Sequence, residues 1–367
     1  MSQRSSIPVT VPFLPPFDEY VELLRGIWER RQLTNHGPLV SELEQRLQDW
    51  LGVQRVLLLA NGAWGLHLAL RALNVRGTVV TTPFSYVATT SCPLWEGCSV
   101  SFADIETATL TIDPAAVEAA IRPGVEAILA THVYGIPCDV DALARIAERH
   151  HVALIYDAAH AFGVRFQGKS ILEYGDVSMV SLHATKLFHT AEGGFVAGQH
   201  LEALSRIDWM RRFGHRGEEA YWGLGTNAKL SELHAAMGLT VLPYIPQLIS
   251  RRSAIVERYD DAIRRAGLPW IRPQIREGTE YNFAYYPVLF PSERTMASVR
   301  QCLAERQINT RRYFFPSLES IAELNIAGDC PVSRDVASRV LCLPLASEMD
   351  DQAVARVVTA ITECGNR

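Results

Sequence analysis

A lysine and an aspartate follow two apolar, strand-like segments. Asp157 comes directly after the strand-like Val152–Tyr156, and Lys186 comes shortly after Val177–Leu182. Burial among apolar side chains lowers the pKa of an amine, so such a lysine can form a Schiff base with an aldehyde. A carboxylate at a strand end needs a cationic or N–H partner, or caps a helix. Taken singly, Lys186 is more typical of a surface lysine and Asp157 fits a helix cap as well.

Two further segments could bind an anion and a flat ring. Asn61 and Gly62 separate a short strand from a helix, where the amides of Ala63 and Trp64 could hold a phosphate. Tyr86 follows the next strand and could stack on a ring, although a core position explains it too. A phosphate cradle, a ring stacker, a strand-end acid and a strand-end lysine are together the parts that a pyridoxal 5'-phosphate site requires.

Strand-like and helix-like segments alternate over about 200 residues, which predicts an α/β fold whose mainly parallel sheet is covered on both faces. Such sheets bind ligands at the carboxyl ends of their strands. Strands are predicted at Arg55–Ala60, Thr78–Thr82, Ser99–Asp104, Ala127–His132, Val152–Tyr156, Val177–Leu182 and Gly194–Ala197. Helices are predicted at Phe17–Arg30, Val40–Leu51, Leu66–Leu73, Tyr86–Trp95, Pro114–Ile121 and Val140–His150.

The pattern changes after Asn227 and predicts a second, smaller domain. The large domain is placed at 1–245 and a C-terminal α+β domain at 246–367. A helix is predicted just before the boundary, at Leu230–Thr240. Within the smaller domain, helices are predicted at Pro246–Ala266, Thr295–Arg306 and Asp350–Thr362, and strands at Tyr285–Phe290 and Leu341–Pro344.

The composition excludes several classes of protein. The chain has 367 residues, a net charge of −5 and 48% hydrophobic residues, which is typical of a globular protein. A mild acidic balance without a Lys/Arg run argues against nucleic-acid binding. We expect no membrane span, because the longest apolar stretch is interrupted and short, and no signal peptide.

The cysteines and histidines point to neither disulfides nor a metal. Seven scattered cysteines without a CxxC motif favour reduced thiols and a cytoplasmic location. His150 and His151 lack a third ligand at metal spacing, so no metal is expected. Neither a GxGxxG nor a GxxxxGK[ST] motif is present, which leaves little support for a dinucleotide site and excludes a P-loop.

In its motifs the sequence resembles the DegT/StrS family of sugar-nucleotide aminotransferases, which have the type I aminotransferase fold. The resemblance covers nearly the whole chain. The matching motifs are Gly37-Pro38-Leu39, Asp157-Ala-Ala-His160, Ser181-x₄-Lys186-x₅-Glu192-Gly193-Gly194, Gly225–Ala236, Arg311–Pro316 and Leu343-Pro344.

The resemblance implies a role for each residue of a pyridoxal phosphate site. It also implies an obligate homodimer with active sites at the subunit interface. The family usually has Thr where Ala63 stands, so one phosphate-binding hydroxyl is missing here. It usually has Phe where Leu182 stands, which is a change in packing. The implied roles are covalent attachment of the cofactor for Lys186, pairing with the pyridine nitrogen for Asp157, contact beside the ring for His160, ring stacking for Tyr86, and phosphate binding for Gly62, Ala63, Trp64, Ser181 and the partner subunit's Asn227.

The stretch around Lys186, together with Leu33–Leu39, resembles enzymes that transfer the amino group of L-glutamate to C4 of dTDP-4-keto-6-deoxyglucose. Their product is dTDP-4-amino-4,6-dideoxyglucose, used in a surface glycan such as O-antigen. Candidate substrate contacts are Asn35, Arg212, Lys229 and Tyr313.

Alternatives to this substrate remain open. They are a GDP- or UDP-linked keto-sugar, amination at C3, a dehydration on the same cofactor, and a non-catalytic regulatory homologue. Lys186 argues against the dehydration, because that branch usually has His at this position.

Overall fold

The computed structural model describes residues 6–326 and 328–365. Its helices are α1 (Phe17–Arg30), α2 (Pro38–Leu51), α3 (Gly62–Ala72), α4 (Ala88–Trp95), α5 (Pro114–Ala120), α6 (Val140–His150), α7 (Leu201–Met210), α8 (Glu232–Val241), α9 (Ile245–Arg265), α10 (Glu293–Glu305), α11 (Pro331–Arg339) and α12 (Asp351–Gly365). Its strands are β1 (Leu57–Leu59), β2 (Thr78–Thr81), β3 (Ser99–Phe102), β4 (Val125–Thr131), β5 (Ala153–Asp157), β6 (Arg165–Phe166), β7 (Lys169–Ser170), β8 (Val177–Ser181), β9 (Gly194–Ala197), β10 (Thr279–Glu280), β11 (Tyr286–Leu289) and β12 (Val340–Leu343).

Seven strands form the large sheet in the order β1-β9-β8-β5-β4-β2-β3. All neighbouring pairs are parallel except those of β9, which runs antiparallel to β1 and β8. The predicted α/β fold with a mainly parallel seven-stranded sheet is confirmed. Parallel strands end at the same edge, so the last residues of β2, β4, β5 and β8 lie side by side there. These residues are Thr81, Thr131, Asp157 and Ser181.

A smaller antiparallel pair, β11 with β12, packs in a separate apolar core formed with α9, α10 and α12. The N-terminal segment joins this core, because Ile7 bridges to Ile308. On the long helix α9, Leu248 packs in the core of the large sheet and Ile255 in the second core. The domain boundary at 245–246 stays a prediction.

Several elements escaped the sequence patterns. The two-residue strands β6, β7 and β10 were not predicted, because two residues are too few to show a period-2 pattern. The helices α7 and α11 were not predicted either. The helix α3 begins at Gly62, four residues earlier than predicted, which brings the glycine turn into its first turn. None of the helices in the described part of the chain is long and apolar enough to cross a bilayer.

The prediction that all seven cysteines are reduced was wrong for one pair. Cys302 on α10 and Cys364 on α12 form a disulfide, although they are 62 residues apart. The packing of these two helices brings the sulfurs together, and a separation of that length leaves no sequence signal. The other cysteines, Cys92, Cys98, Cys138, Cys330 and Cys342, are free and buried.

The edge strand β1 has its outer backbone groups satisfied by two buried charged side chains. Glu44 Oε1 accepts a hydrogen bond from the amide of Leu58 at 2.8 Å and another from Arg211 Nη1 at 2.6 Å. Arg211 Nη1 also donates to the carbonyl of Leu58 at 2.8 Å. This pair ties α2 to the end of α7 and closes an edge that could otherwise pair with another strand.

Replacing Arg211 is expected to destabilise the fold strongly. Arg211→Met removes the buried cation that pairs with both Glu44 and Asp208, so the free energy of unfolding should fall by about 3–5 kcal/mol. Urea denaturation followed by circular dichroism measures this. Arg46→Met is the control, because Arg46 pairs with Glu42 on the exposed face of α2, and it should change the value by about 0.5 kcal/mol or less. Equal effects of the two changes would contradict this interpretation.

Candidate active site

A cavity of about 340 Å³ lies at the carboxyl edge of the parallel strands. Its walls come from the turns after β2, β4, β5 and β8, from the start of α3, and from segments beyond residue 280. Among the site residues predicted from the sequence, those that line it are Gly62, Ala63, Tyr86, Asp157, His160, Ser181, Lys186 and Tyr313. The topology therefore brings together side chains that are far apart in the chain.

Lys186 lies in the turn after β8, where its amide donates to the carbonyl of His183 at 2.9 Å. Its Nζ donates to the hydroxyl of Tyr285 at 3.4 Å. Burial lowers the pKa of the Lys186 amine, and the negative charge of Asp157 opposes that effect only in part. A larger fraction of the amine is therefore neutral and nucleophilic than in an exposed lysine.

Asp157 is the last residue of β5 and is 4% exposed. Its Oδ1 accepts a hydrogen bond from the amide of Ala159 at 2.9 Å. Burial raises the pKa of Asp157, and both the Ala159 amide and Lys186 oppose that rise. A buried carboxylate with so few partners is suited to a ligand that brings a protonated nitrogen.

His160 sits three residues beyond Asp157 and is buried. Its Nδ1 accepts a hydrogen bond from the amide of Tyr134 at 3.0 Å, which assigns the ring proton to Nε2. Burial lowers the pKa of His160, so the ring is neutral. The ring stacks near Phe314 at a centroid distance of 5.7 Å. His160 thus offers the cavity a neutral, fixed imidazole.

The start of α3 forms a cradle of backbone amides. First-turn amides of a helix have no acceptor within the helix, and they attract anions. The side chain of Asn61 already accepts from the amide of Trp64 at 3.0 Å, which leaves the Gly62 and Ala63 amides on the cavity side. Trp64 does not line the cavity, and its part in cofactor binding stays a prediction.

Gly194, the first residue of β9, passes directly against this turn. A Cβ on Gly194 would lie 2.6 Å from both the carbonyl carbon of Asn61 and the nitrogen of Gly62. Contacts this short require movement of backbone, which is costly. Gly194 thus allows the turn to approach β9 and keeps Gly62 close to Ser181, the last residue of β8.

Tyr86 presents its ring to the cavity and is 61% exposed. The turn that carries it is held by a hydrogen bond of 3.1 Å between the buried hydroxyls of Ser85 and Thr131. An exposed ring on a fixed turn is suited to stacking on a planar ligand.

Besides Trp64, four predicted residues lie outside this cavity. Asn35 is exposed ahead of α2, and Arg212 pairs with Asp208 at 2.8 Å. Asn227 is exposed, bridges to Arg212 in backbone pairing and accepts from Lys229 Nζ. The roles of Asn35, Arg212, Asn227 and Lys229 in binding stay predictions.

Sequence reasoning missed several residues that line the cavity. Tyr285, Arg311 and Phe314 come from the C-terminal part of the chain, more than 90 residues beyond Lys186. Arg311 and Phe314 lie in Arg311–Pro316, a segment that matches a family motif and in which Tyr313 is the predicted substrate contact. Tyr285 lies at the start of a predicted strand and gave no signal of its own. In residues 6–326 and 328–365, no three His, Cys, Asp or Glu side chains are grouped to hold a metal ion.

Residues 18–362 match the model of the DegT/DnrJ/EryC1/StrS aminotransferase family. The chain belongs to this family and is an aminotransferase, as its motifs predicted. The match includes both the large sheet and the C-terminal part that completes the cavity.

Curated relatives and solved structures agree with this assignment. A protein of Shigella dysenteriae named dTDP-4-amino-4,6-dideoxy-D-glucose transaminase is 38% identical over 361 residues, 97% of this chain and 98% of the relative. A protein of Escherichia coli with the same name is 36% identical, over 96% of this chain and 97% of the relative. The crystal structure of DesI with its TDP-sugar product superposes with a TM-score of 0.93 at 30% identity, over 100% of this chain and 94% of that chain.

Proposed function

We propose that the protein is a pyridoxal phosphate-dependent aminotransferase that moves the amino group of L-glutamate to C4 of dTDP-4-keto-6-deoxy-D-glucose. The product is dTDP-4-amino-4,6-dideoxyglucose. The observation that carries the chemistry is the half-buried amine of Lys186 in the same cavity as the buried carboxylate of Asp157. The choice of sugar rests on the two relatives that carry this product in their names. By family analogy the reaction is cytoplasmic and serves a surface glycan such as O-antigen.

The residues fit pyridoxal 5'-phosphate in both charge and shape. The amides of Gly62 and Ala63 and the hydroxyl of Ser181 are suited to the phosphate, and the exposed ring of Tyr86 to the flat pyridine. When bound, this cofactor supplies an aldehyde that accepts an amino group and a ring that withdraws electrons from the reacting carbon.

Each polar side chain then has one task. Lys186 Nζ accepts the Cα proton of glutamate and later donates a proton to C4 of the sugar, because its lowered pKa suits both transfers. The Asp157 carboxylate accepts a hydrogen bond from the protonated pyridine nitrogen and so keeps that nitrogen charged. His160, which is neutral, would lie beside the pyridine ring without adding a competing positive charge.

The functional unit is a homodimer in this proposal. Residues 211–227 form an irregular hairpin, bridged at Arg212 with Asn227 and at His215 with Tyr221. Its side chains Phe213 and Leu224 are 51% and 75% exposed. A hairpin that exposes large apolar side chains is typical of a surface that docks against a second copy. The partner subunit's Asn227 then completes the phosphate site.

Removal of the Lys186 amine is expected to abolish turnover. Lys186→Ala should give no aminosugar from L-glutamate and dTDP-4-keto-6-deoxyglucose, yet still bind pyridoxamine phosphate, because the phosphate and ring contacts remain. Mass spectrometry and NMR of the products measure this, and GDP- and UDP-linked keto-sugars in parallel test the nucleotide. Lys169→Ala, which removes an exposed lysine of β7, is the matched control. Normal turnover by Lys186→Ala would refute the assignment.

The contact of β9 with the glycine turn is expected to control cofactor affinity. Gly194→Ala should push the turn away from Ser181 and weaken pyridoxal phosphate binding about tenfold or more, equivalent to about 1.4 kcal/mol. Fluorescence titration of the cofactor-free protein gives the dissociation constant. Gly267→Ala is the control, because a Cβ there meets open space and only its φ of +60° is strained. Unchanged affinity in Gly194→Ala would exclude this cradle.

Mixed dimers can test whether Asn227 acts across the interface. Lys186→Ala and Asn227→Ala chains are co-expressed with different tags. If Asn227 serves the partner's cavity, one site of each mixed dimer is intact, so the random mixture recovers about a quarter of the wild-type rate. If Asn227 serves its own cavity, the mixture gains nothing over the separate variants.

A further inference from the structure

Tyr285 supplies the hydrogen-bond partner of the reactive lysine, although it lies 99 residues further along the chain. Its hydroxyl oxygen is 3.4 Å from Lys186 Nζ, and the residue is 6% exposed. Its ring lies 4.5 Å from the ring of His160 and 5.3 Å from that of Tyr313, measured between centroids. These contacts hold the phenol of Tyr285 beside Lys186, against the rings of His160 and Tyr313.

The backbone before Tyr285 is anchored by groups that take no part in the cavity. Asn282 Oδ1 accepts from the amide of Ala284 at 3.1 Å. Arg252, on α9, donates to the carbonyl of Ala284 at 3.0 Å and is 4% exposed. Burial lowers the pKa of Arg252 to about 10, so its guanidinium stays charged at neutral pH. A charged donor gives a stronger hydrogen bond to this carbonyl than a neutral one.

We propose that Tyr285 is a positioning residue whose phenol holds the Lys186 amine in place during proton transfer. This inference rests on the function proposed above and assigns a partner to its central group. A phenol can accept from an ammonium and donate to a neutral amine, so it serves Lys186 in both protonation states.

The phenol remains neutral in this role. Burial raises the pKa of Tyr285 well above its ordinary value. The void behind Lys186 has a volume of about 10 Å³, close to the smallest that can hold one water. On that side of the amine, therefore, one water at most could take the place of the phenol. The titratable and charged groups around the amine are Asp157, His160, Tyr86, Tyr285, Tyr313 and, at the cavity wall, Arg311, His183 and Glu192.

The chain is well suited to a direct measurement, because its lysines are Lys169, Lys186 and Lys229 alone. Protein labelled with ε-¹³C lysine, without cofactor, gives a simple NMR spectrum in which each amine is titrated separately. Lys169→Arg and Lys229→Arg assign the signals. The variant is Tyr285→Phe, and Tyr281→Phe is the matched control, since its buried hydroxyl donates to the carbonyl of Tyr134 at 2.8 Å.

The hydrogen bond from the Lys186 ammonium to the phenol is charge-assisted and therefore stronger than the bond from the phenol to the neutral amine. Loss of the phenol oxygen thus costs the charged form more, so the pKa of Lys186 should fall further in Tyr285→Phe, by about one unit. In Tyr281→Phe it should stay at the wild-type value. In the loaded enzyme, Tyr285→Phe should lower kcat for the glutamate half-reaction about tenfold with little change in KM. If Tyr285→Phe does not fold, Tyr285→Met is measured instead, because its flexible side chain also lacks the hydroxyl.

An unchanged Lys186 pKa in the folded Tyr285 variants, or an equal shift in Tyr281→Phe, would overturn the proposal. Unchanged signals from Lys169 and Lys229 establish that the fold is intact. The titration uses no cofactor and no sugar, so its outcome is independent of the substrate. If the protein aminates none of the keto-sugars but Tyr285→Phe still lowers the pKa of Lys186, the proposed reaction is refuted and the Tyr285–Lys186 contact is still supported.

Discussion

The site depends on the burial of two opposite charges at one edge of a parallel sheet. Lys186 and Asp157 lie where water cannot fully solvate them, and each opposes the effect of burial on the other's pKa. Burial therefore keeps the amine reactive and leaves the carboxylate short of partners. The parallel direction of β5 and β8 is what places both strand ends, and so both residues, at the same edge.

Close packing and buried hydrogen bonds hold the remaining walls of the cavity around this pair. Gly194 lets the turn before α3 approach β9, and a buried hydroxyl pair, Ser85 with Thr131, holds the turn of Tyr86. The C-terminal part contributes Tyr285, whose position is set by the buried cation Arg252. The same use of buried charge closes the edge strand β1, where Glu44 and Arg211 bond the free backbone groups of Leu58.

Much of the large sheet could be predicted because each strand and helix carries its own periodic pattern. Apolar runs alone predicted the ends of β5 and β8 to within one residue, and with them the strand-end positions of Asp157 and Lys186. The start of α3 differs from the prediction because Gly62 and Ala63 carry no apolar periodicity, and an Asn-Gly pair indicates a turn as readily as a helix cap. Asn35, Arg212 and Lys229 were chosen by resemblance, and in the single chain they lie outside the cavity.

The sequence by itself determined the α/β class, the strand-end lysine and aspartate, and the aminotransferase motifs, since these are local patterns of spacing. The tertiary structure alone decided that Tyr285 partners Lys186 and that Cys302 bonds Cys364. The Tyr285 and cysteine contacts join segments separated by 62 to 99 residues. The position of such segments is set by how helices and sheets pack in three dimensions, and no periodicity along the chain encodes it.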